Sequence, residues 1–363
     1  MGTQARVVVL PQSSAVLRIE EIELPDPGPT QVVVKEFASG ICHSQLHQMH
    51  RPRESPVILG HEATGAVLKT GSEVTHVREG DIVLVTWVPR NAAAAKALPV
   101  RATLPVSDGT AESENVFTWA DHTLADEQYV VKVDPGTSRD VTSIIGCAVM
   151  TGAGAVINTA NVQPGQSVAV FGVGGVGLSA VVGAKMAGAD PIIAVDLDDA
   201  KLEFAKQFGA THGVNASQQN PVEAIHALTA REGQFTIFGM PVSGVDFAFD
   251  CIGIKTTMEQ IIPACRSGHF GAKDGGTGVL VGVPGTNVEL DAMDVLLNEK
   301  HFIGSIGGSC APDRDFPRFL EWEENGDLKL NALVTQRFTI DQINEATAAL
   351  EKGEITGRAI LEF

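Results

Sequence analysis

The segment "GICHSQLHQMH", from Gly40 to His50, holds one cysteine and three histidines in a chain that has five cysteines and ten histidines. Thiolates and imidazoles bind zinc, and a histidine near a hydroxyl can carry a proton at neutral pH. The segment is therefore a local metal site, a proton relay or an accidental cluster. Further candidate ligands lie far along the chain, at His61 in "GHEATG" and Cys147 in "IIGCAVMTG".

Cys42, His61 and Cys147 together offer two thiolates and one imidazole, spread over more than one hundred residues. Catalytic zinc sites use three protein ligands and leave one position open for water or substrate, whereas structural zinc sites are closed and locally spaced. The spacing here matches no zinc finger, so it is weak evidence by itself. The alternative is that each cysteine is a small buried hydrophobe, which is the commoner role of a cysteine in a reducing compartment.

A glycine motif follows the apolar segment "SVAVF" and precedes a predicted helix. Gly172, Gly174 and Gly177 form G-x-G-x-x-G, which permits a tight turn and close approach of the backbone to a pyrophosphate at the helix N-terminus. Asp196 ends the next predicted strand, 19 residues after Gly177, where a carboxylate binds a ribose 2′-hydroxyl and repels a 2′-phosphate. We predict a dinucleotide site that prefers NAD to NADP, with Lys201 near the adenosine ribose. The alternative is that these glycines only form a turn.

The surrounding elements indicate two domains. Short β-branched runs separated by proline and glycine fill about the first 150 residues and predict a mostly β domain. Strands and helices then alternate, which is typical of a doubly wound parallel sheet. The last segment is too small to stand alone, so we expect it to return to the first domain. The predicted domains are 1–148 with 308–363, and an inserted nucleotide-binding domain at 149–307.

Composition narrows the function. Lysine and arginine number 26 against 44 aspartates and glutamates, and no basic run is dense enough to suggest nucleic acid as a partner. The first residues lack the layout of a signal peptide, and no stretch of about 18 uninterrupted apolar residues occurs, so no membrane partner is expected. An odd number of scattered cysteines suits a reducing compartment. We therefore expect a cytoplasmic protein.

These segments resemble the zinc-containing medium-chain alcohol dehydrogenases over nearly the whole chain. The resemblance is carried by "GICHS", "GHEATG", "IIGCAVMTG", "VAVFGVGGVGLS", "IIAVDLDDAKLEFAKQFGAT", "GVDFAFDCIG", "VLVGVP" and "GRAILEF", in the family's order. It implies a Rossmann-type NAD-binding domain inserted in a GroES-like catalytic domain, and a homo-oligomer, either dimer or tetramer. It also implies one catalytic zinc per chain and reversible hydride transfer between a small-molecule alcohol and NAD.

The resemblance also implies roles for individual residues. Cys42, His61 and Cys147 are the zinc ligands, and Glu62 lies behind the metal. Ser44 binds the substrate oxygen, and His47 receives the proton through the nicotinamide ribose. The remaining positions bind the cofactor: His43 and Arg358 at the pyrophosphate, Gly172, Gly174, Gly175 and Gly177 in the glycine motif, Asp196 and Lys201 at the adenosine ribose, and Thr151, Val176 and Val281 at the nicotinamide.

The remaining cysteines, His50 and two tryptophans either match no ligand position of the family or have a role that the sequence does not decide. Three further cysteines match no ligand position and are expected to be buried hydrophobes, and His50 is expected to be incidental. Trp87 and Trp119 match positions of bulky pocket residues but could equally be core, as large aromatics often are. The three cysteines are Cys251, Cys265 and Cys310.

The chain departs from the family pattern in two places. Many members hold a structural zinc with four cysteines after the strand "DIVLVTW", but residues 88–119 contain no cysteine, so no structural zinc is expected. Gln45 occupies a position where an aspartate usually supports the zinc-bound histidine. A neutral amide accepts a hydrogen bond but offers no charge, so zinc binding is expected to be weaker or differently tuned.

The sequence leaves other activities open. A zinc enzyme of this family could act on a thiol adduct of formaldehyde or on a nitrosothiol. A zinc-independent quinone or enoyl reductase of the same superfamily would lack the three ligands that are present here. A third alternative is a non-catalytic nucleotide-binding protein, which the Ser44 and His47 pair argues against.

Overall fold

The computed structural model describes residues 2–91, 98–231, 233, 235, 239, 242–269 and 271–363. Residues 92–97, part of the cysteine-free stretch, therefore lie outside the described residues. The strands are β1 (Thr3–Leu10), β2 (Arg18–Leu24), β3 (Gln31–Ile41), β4 (Val57–Ile58), β5 (Ala63–Thr70), β6 (Ile82–Val85), β7 (Thr103–Val106), β8 (Gly109–Glu112), β9 (His122–Asp126), β10 (Val130–Lys132), β11 (Val168–Phe171), β12 (Ile192–Asp196), β13 (His212–Asn215), β14 (Phe247–Asp250), β15 (Thr277–Leu280), β16 (His301–Gly304), β17 (Val334–Thr339) and β18 (Arg358–Glu362).

The α-helices are α1 (His43–His50), α2 (Met150–Gly154), α3 (Gly175–Met186), α4 (Asp199–Lys206), α5 (Pro221–Leu228), α6 (Lys255–Ala264), α7 (Ala292–Leu297), α8 (Pro312–Glu324), α9 (Leu330–Leu333) and α10 (Ile343–Glu351). Local sequence explains several helix starts. Asp198 caps α4 by accepting from the Ala200 backbone, and Asn220 caps α5, whose first residue is a proline.

The chain divides into two compact units. The first comprises Met1–Ala148, Ala311–Glu324 and Lys329–Phe363, and the second comprises Val149–Cys310 and Asn325–Leu328. In the first unit, one sheet has the strand order β2-β1-β4-β8-β7, and another has the order β10-β6-β5-β3-β18-β17 with β9 also paired to β3. β3 is therefore a hub, because β5, β9 and β18 all pair with it.

The second unit contains a parallel sheet with strand order β13-β12-β11-β14-β15-β16. Helices α3 to α6 connect its successive strands, as in a doubly wound fold. Apolar side chains of β11, β12 and β14, including Phe171, Ile193 and Ala248, are buried in its core. The predicted fold class, a Rossmann-type sheet joined to a mostly β domain, is confirmed.

One helical segment, Val141–Thr159, is long and apolar enough to cross a membrane, with a mean hydropathy of 1.6. However, 83% of its most apolar window is buried inside the protein. Buried core helices pass the same length and composition test, so the segment is weak evidence for a membrane span.

Glu36 is a buried acid in the middle of β3. It is 0% exposed, and neither carboxyl oxygen has a hydrogen-bond partner among the residues that the structure describes. Burial, together with the charge of Asp121, raises the pKa of Glu36 well above its usual range. The folded chain thus favours the neutral acid. This contribution to stability is full below the ordinary pKa of glutamate and is lost as the pH rises through the raised pKa.

Replacing Glu36 with glutamine should therefore stabilise the protein, because glutamine keeps the shape of the neutral acid and cannot ionise. We expect Glu36→Gln to raise the melting temperature by more at about pH 8.5 than at about pH 6, with each pKa unit worth about 1.4 kcal/mol. Thermal unfolding at both pH values measures the effect. Glu21→Gln, at an exposed position on β2, is the matched control and should show no such gain. An equal gain at both pH values would contradict the prediction.

Candidate active site

Two of the predicted zinc ligands meet because the strands beside them pair. β3 ends at the residue before Cys42, and β5 begins at the residue after Glu62. The two strands run antiparallel, and the Gly40 N–H donates to the Glu62 carbonyl oxygen at 3.1 Å. The C-terminal end of β3 and the N-terminal end of β5 therefore lie side by side, which brings Cys42 close to His61.

The third ligand comes from the helical segment Val141–Thr159. Its Gly146 lies so close to β6 that a Cβ there would be 2.6 Å from the Val85 carbonyl oxygen. The Thr86 hydroxyl also donates to the Gly146 carbonyl oxygen at 2.7 Å. Because β6 pairs with β5, these contacts hold Cys147 beside the other two ligands.

Cys42, His61 and Cys147 form one compact donor cluster. One ligand atom from each lies within 4.8 Å of the others, and the two Sγ atoms are 3.9 Å apart. The His61 Nε2 atom is buried and has no hydrogen-bond partner within the described ranges. Two sulfurs and an unpartnered imidazole nitrogen at this separation fit a zinc ion.

The two thiols differ in acidity. A hydrogen bond from the Cys147 thiol, assisted by Arg358 and His61, lowers the pKa of Cys42 well below its usual value against the opposing effect of burial. The same hydrogen bond, together with burial, raises the pKa of Cys147 well above its usual value. The Cys42 thiol therefore ionises more readily than the Cys147 thiol, and thiolate is the form that binds metal.

Glu62 is completely buried behind the ligands. Its Oε1 forms an ion pair with Nη2 of Arg358, and its Oε2 accepts from the Ala148 N–H at 3.4 Å. Burial raises the pKa of Glu62 to about 7, although the positive charge of Arg358 opposes the shift. A Cβ on Gly40 would lie 2.3 Å from the Glu62 side chain, so only glycine leaves room for this carboxylate.

Arg358, which the resemblance assigns to the pyrophosphate, is thus committed to Glu62 in this structure. It begins β18, and it is 5% exposed. Its Nε atom is buried without a partner in the described part of the chain, so the guanidinium keeps one donor for another group. The sequence did not indicate the contact with Glu62, because nothing local links residues 296 positions apart.

The relay residues lie on α1, whose N-cap is Cys42. The Ser44 Oγ atom is buried and has no partner among the described residues, as expected of a hydroxyl that waits for substrate. His47 lies one turn further along the helix and is exposed, as is His43. His50 is also exposed and lies 3.1 Å from Glu351, in agreement with an incidental surface role.

The two tryptophans have different environments. Trp87 lies beside the metal cluster, with its ring 6.5 Å from the His61 ring in an edge-on arrangement, and its buried Nε1 has no partner within the described ranges. Trp119 is 0% exposed, and its Nε1 donates to the Gly40 carbonyl oxygen at 3.1 Å. Of the two, Trp87 is a pocket candidate and Trp119 belongs to the core.

The glycine motif of the second unit lies between β11 and α3, as the sequence predicts. Gly172 has a φ of +84°, a conformation that favours glycine, and a Cβ on Gly177 would lie 1.8 Å from the Gly172 carbonyl oxygen. A Cβ on Gly174 would meet no atom within 4 Å, so open space lies beside the N-cap of α3. Gly175 is the first residue of that helix. This space at a helix N-terminus suits a pyrophosphate.

Asp196 lies at the end of β12, and its carboxylate is held by backbone donors. It accepts from the N–H of Val173 at 3.0 Å and from the N–H of Leu197 at 2.8 Å, so it adjoins the glycine motif. Lys201 lies in the first turn of α4. The carboxylate is thereby fixed next to the glycine motif.

The positions assigned to the nicotinamide also lie in the second unit. Thr151 on α2 has a buried Oγ1 with no partner in the described part of the chain, and Val281 follows β15 and is 8% exposed. Val176 is the second residue of α3. A Cβ on Gly152 would lie 2.0 Å from the Val176 carbonyl oxygen, so α2 packs directly against the start of α3.

Comparison with known proteins follows the same division of the chain. The alcohol dehydrogenase GroES-like domain matches residues 28–135, and the zinc-binding dehydrogenase domain matches residues 175–325. Alcohol dehydrogenase class-3 of Cereibacter sphaeroides is 32% identical and covers 98% of this chain and 98% of its own length. S-(hydroxymethyl)glutathione dehydrogenase of a Synechocystis species is 31% identical and covers 97% of this chain and 98% of its own length.

A solved structure is similar over the full length. The alcohol dehydrogenase zinc-binding domain protein from Burkholderia ambifaria is 29% identical, with a TM-score of 0.87 and coverage of 100% of both chains.

Removing Arg358 should be strongly destabilising, because it leaves the Glu62 carboxylate buried without its counter-charge. We expect Arg358→Met to lower the free energy of unfolding by about 3–5 kcal/mol, and the double variant Glu62→Gln with Arg358→Met to regain much of the loss. Chemical denaturation measures both. Arg78→Met, which removes an exposed guanidinium near Asp81 and leaves that carboxylate its ion pair with Lys132, should cost about 1 kcal/mol or less. Equal losses for Arg78→Met and Arg358→Met would contradict the prediction.

Proposed function

The chain belongs to the zinc-type medium-chain alcohol dehydrogenase family, and on that premise we propose that it oxidises a small-molecule alcohol with NAD and catalyses the reverse reduction. The observation that carries this proposal is the cluster of Cys42, His61 and Cys147, with ligand atoms within 4.8 Å of one another. The unpartnered Ser44 hydroxyl, two residues after the first ligand, supports it.

Zinc held by the three ligands supplies a Lewis acid that lowers the pKa of an alcohol hydroxyl. Ser44 binds that hydroxyl through its Oγ and takes up its proton in exchange for its own. His47, which is exposed on the same helix, accepts the released proton and returns it to water, since an imidazole titrates near neutral pH. Glu62 and Arg358 form a buried ion pair that fixes the wall behind the ligands, and the Arg358 Nε has no partner among the described residues.

NAD is the proposed cofactor. The open space at Gly174 and the N-terminus of α3 accept the pyrophosphate, and His43 and Arg358 are proposed as its cationic partners. Asp196, beside the glycine motif, binds the adenosine ribose hydroxyls with Lys201 and repels the additional phosphate of NADP. Thr151, Val176 and Val281 are proposed to contact the nicotinamide, which would supply the hydride acceptor.

A thiol adduct of formaldehyde is the second candidate substrate. It is supported by the names of two relatives above 30% identity, one a class-3 alcohol dehydrogenase and the other an S-(hydroxymethyl)glutathione dehydrogenase. The adduct is itself an alcohol, so the same zinc ligands and relay would serve it. A zinc-independent quinone or enoyl reduction is disfavoured, because it makes no use of the clustered thiols.

A substrate panel followed by NADH absorbance tests the proposal. Aliphatic and aromatic alcohols, and formaldehyde with and without glutathione, are assayed with NAD and with NADP, before and after chelation. We expect about one zinc per chain, activity lost on chelation, and activity lost in Cys42→Ala. Cys265→Ala, at a buried core cysteine, is the matched control and should retain zinc and activity. A zinc-free protein with full activity would contradict the proposal.

We propose that the protein is a cytoplasmic homo-oligomer. In the second unit β16 lies at an edge of the parallel sheet, and the nearby α7 exposes Met293 and Leu296, which are 58% and 69% exposed. Within the described residues β16 is an edge strand, and an edge strand together with exposed apolar side chains favours pairing with a second copy. The widely scattered thiols suit a reducing compartment.

The oligomer proposal predicts that a charge on α7 dissociates the assembly. We expect wild type to sediment as a dimer or tetramer and Leu296→Asp to shift toward the monomer at the same concentration, since burying an unpaired carboxylate is costly. Analytical ultracentrifugation measures the shift. Val16→Asp adds the same charge at another exposed apolar position, 64% exposed, and should leave the mass unchanged. A monomeric wild type would contradict the proposal.

A further inference from the structure

Gln45 touches two of the three proposed zinc ligands through a single side chain. It is the third residue of α1 and is 1% exposed. Its Oε1 accepts from the Cys42 backbone N–H at 3.1 Å, and its Nε2 contacts Nδ1 of His61. The amide therefore caps α1 and supports the imidazole at once.

A glutamine side chain has too few acceptor atoms to bond both the Cys42 N–H and the His61 imidazole when zinc is bound. Among the residues that the structure describes, Nε2 is the His61 nitrogen without a hydrogen-bond partner, so Nε2 is the nitrogen that would bind a metal. A neutral imidazole that binds a metal through Nε2 carries its hydrogen on Nδ1, which then needs an acceptor. The Cys42 N–H needs an acceptor as well. Glutamine offers one oxygen, whereas a carboxylate offers two.

Turning the amide does not remove the conflict. With Oε1 on Cys42, the amide NH₂ meets the Nδ1–H of His61; with Oε1 on His61, it meets the backbone N–H instead. Burial of Gln45 and Cys42, at 1% and 8% exposure, excludes bulk water as a substitute acceptor. A buried N–H without an acceptor costs free energy, and here that cost arises only when zinc is bound.

We propose that Gln45 is a positioning residue that weakens zinc binding at the Cys42, His61 and Cys147 cluster, because its single oxygen cannot serve both N–H groups. This inference rests on the proposed function, since it concerns the same metal ligands. The shared oxygen also couples zinc binding to α1. When zinc is bound, the Nδ1–H of His61 competes with the Cys42 N–H, which is part of the helix cap, for the single oxygen of Gln45. Replacing the amide with a carboxylate of equal length removes the competition.

Zinc affinity is the direct test, measured on the metal-stripped full chain by competition with a chromophoric chelator. We expect Gln45→Glu to bind zinc about 10- to 100-fold more tightly than wild type. Gln45→Met, which keeps the length but has no acceptor, should bind more weakly than wild type. Gln12→Glu adds an equal charge at an exposed position of the same unit and should stay within about twofold of wild type.

Hydrogen exchange of the Cys42 amide gives a second readout. Saturating zinc should protect this amide more in Gln45→Glu than in wild type, since only the carboxylate bonds both N–H groups. If Gln45→Glu does not fold, Gln45→Asp replaces it with the same expectation. Equal zinc affinity in wild type and the carboxylate variant, with zinc bound by both, overturns this inference alone. Absence of zinc binding in every variant, wild type included, overturns the proposed function too.

Discussion

The pairing of three strand ends is the constraint on which the first unit's chemistry depends. β3 pairs with β5 on one side and with β18 on the other, and Ala359 lies opposite Ile41. The ends of these strands therefore bring four side chains to one place. They belong to Cys42, which follows β3, to His61 and Glu62, which precede β5, and to Arg358, the first residue of β18. None of these side chains is brought there by local sequence, so a change in register of either pair would separate the ligands from each other or from their counter-charge.

Opposite charges compensate one another in and behind the metal-ligand cluster. Two thiolates offset a divalent cation, and Glu62 offsets Arg358 in the buried layer behind them. Gln45 adds no charge to this arrangement, whereas a carboxylate at the same position would leave an excess negative charge beside the metal. The neutral amide thus keeps the net charge of the buried site near zero. In exchange, the site has one acceptor oxygen fewer for the N–H groups of Cys42 and His61. The pyrophosphate site proposed at the N-terminus of α3 belongs to the second unit.

Local features were the predictable ones. The glycine motif, its strand, its helix and Asp196 follow each other within a short segment, so spacing alone indicated their use, and the strand and helix alternation indicated the fold class. The types of Cys42, His61 and Cys147 indicated a metal, but their proximity depends on sheet pairing that composition does not encode. For the same reason the sequence did not predict the contact of Arg358 with Glu62, which lies 296 positions away. Nor did it decide that Trp119 packs in the core rather than in a pocket. Glu36 gave no signal, because burial of a strand acid is decided by the sheets that cover it.

The first unit is formed from separate segments of the chain, so its last segment is synthesised after most of the second unit. The second unit ends its main segment at Cys310, so its sheet can close while β17 and β18 are still unmade. Cys42, His61 and Cys147 are all made before that point, but the guanidinium that neutralises Glu62 belongs to residue 358. In a nascent chain the three metal ligands are therefore present before the guanidinium that neutralises Glu62. We expect the nucleotide-binding unit to become native before the metal-binding unit, whose sheet needs β18 to be complete.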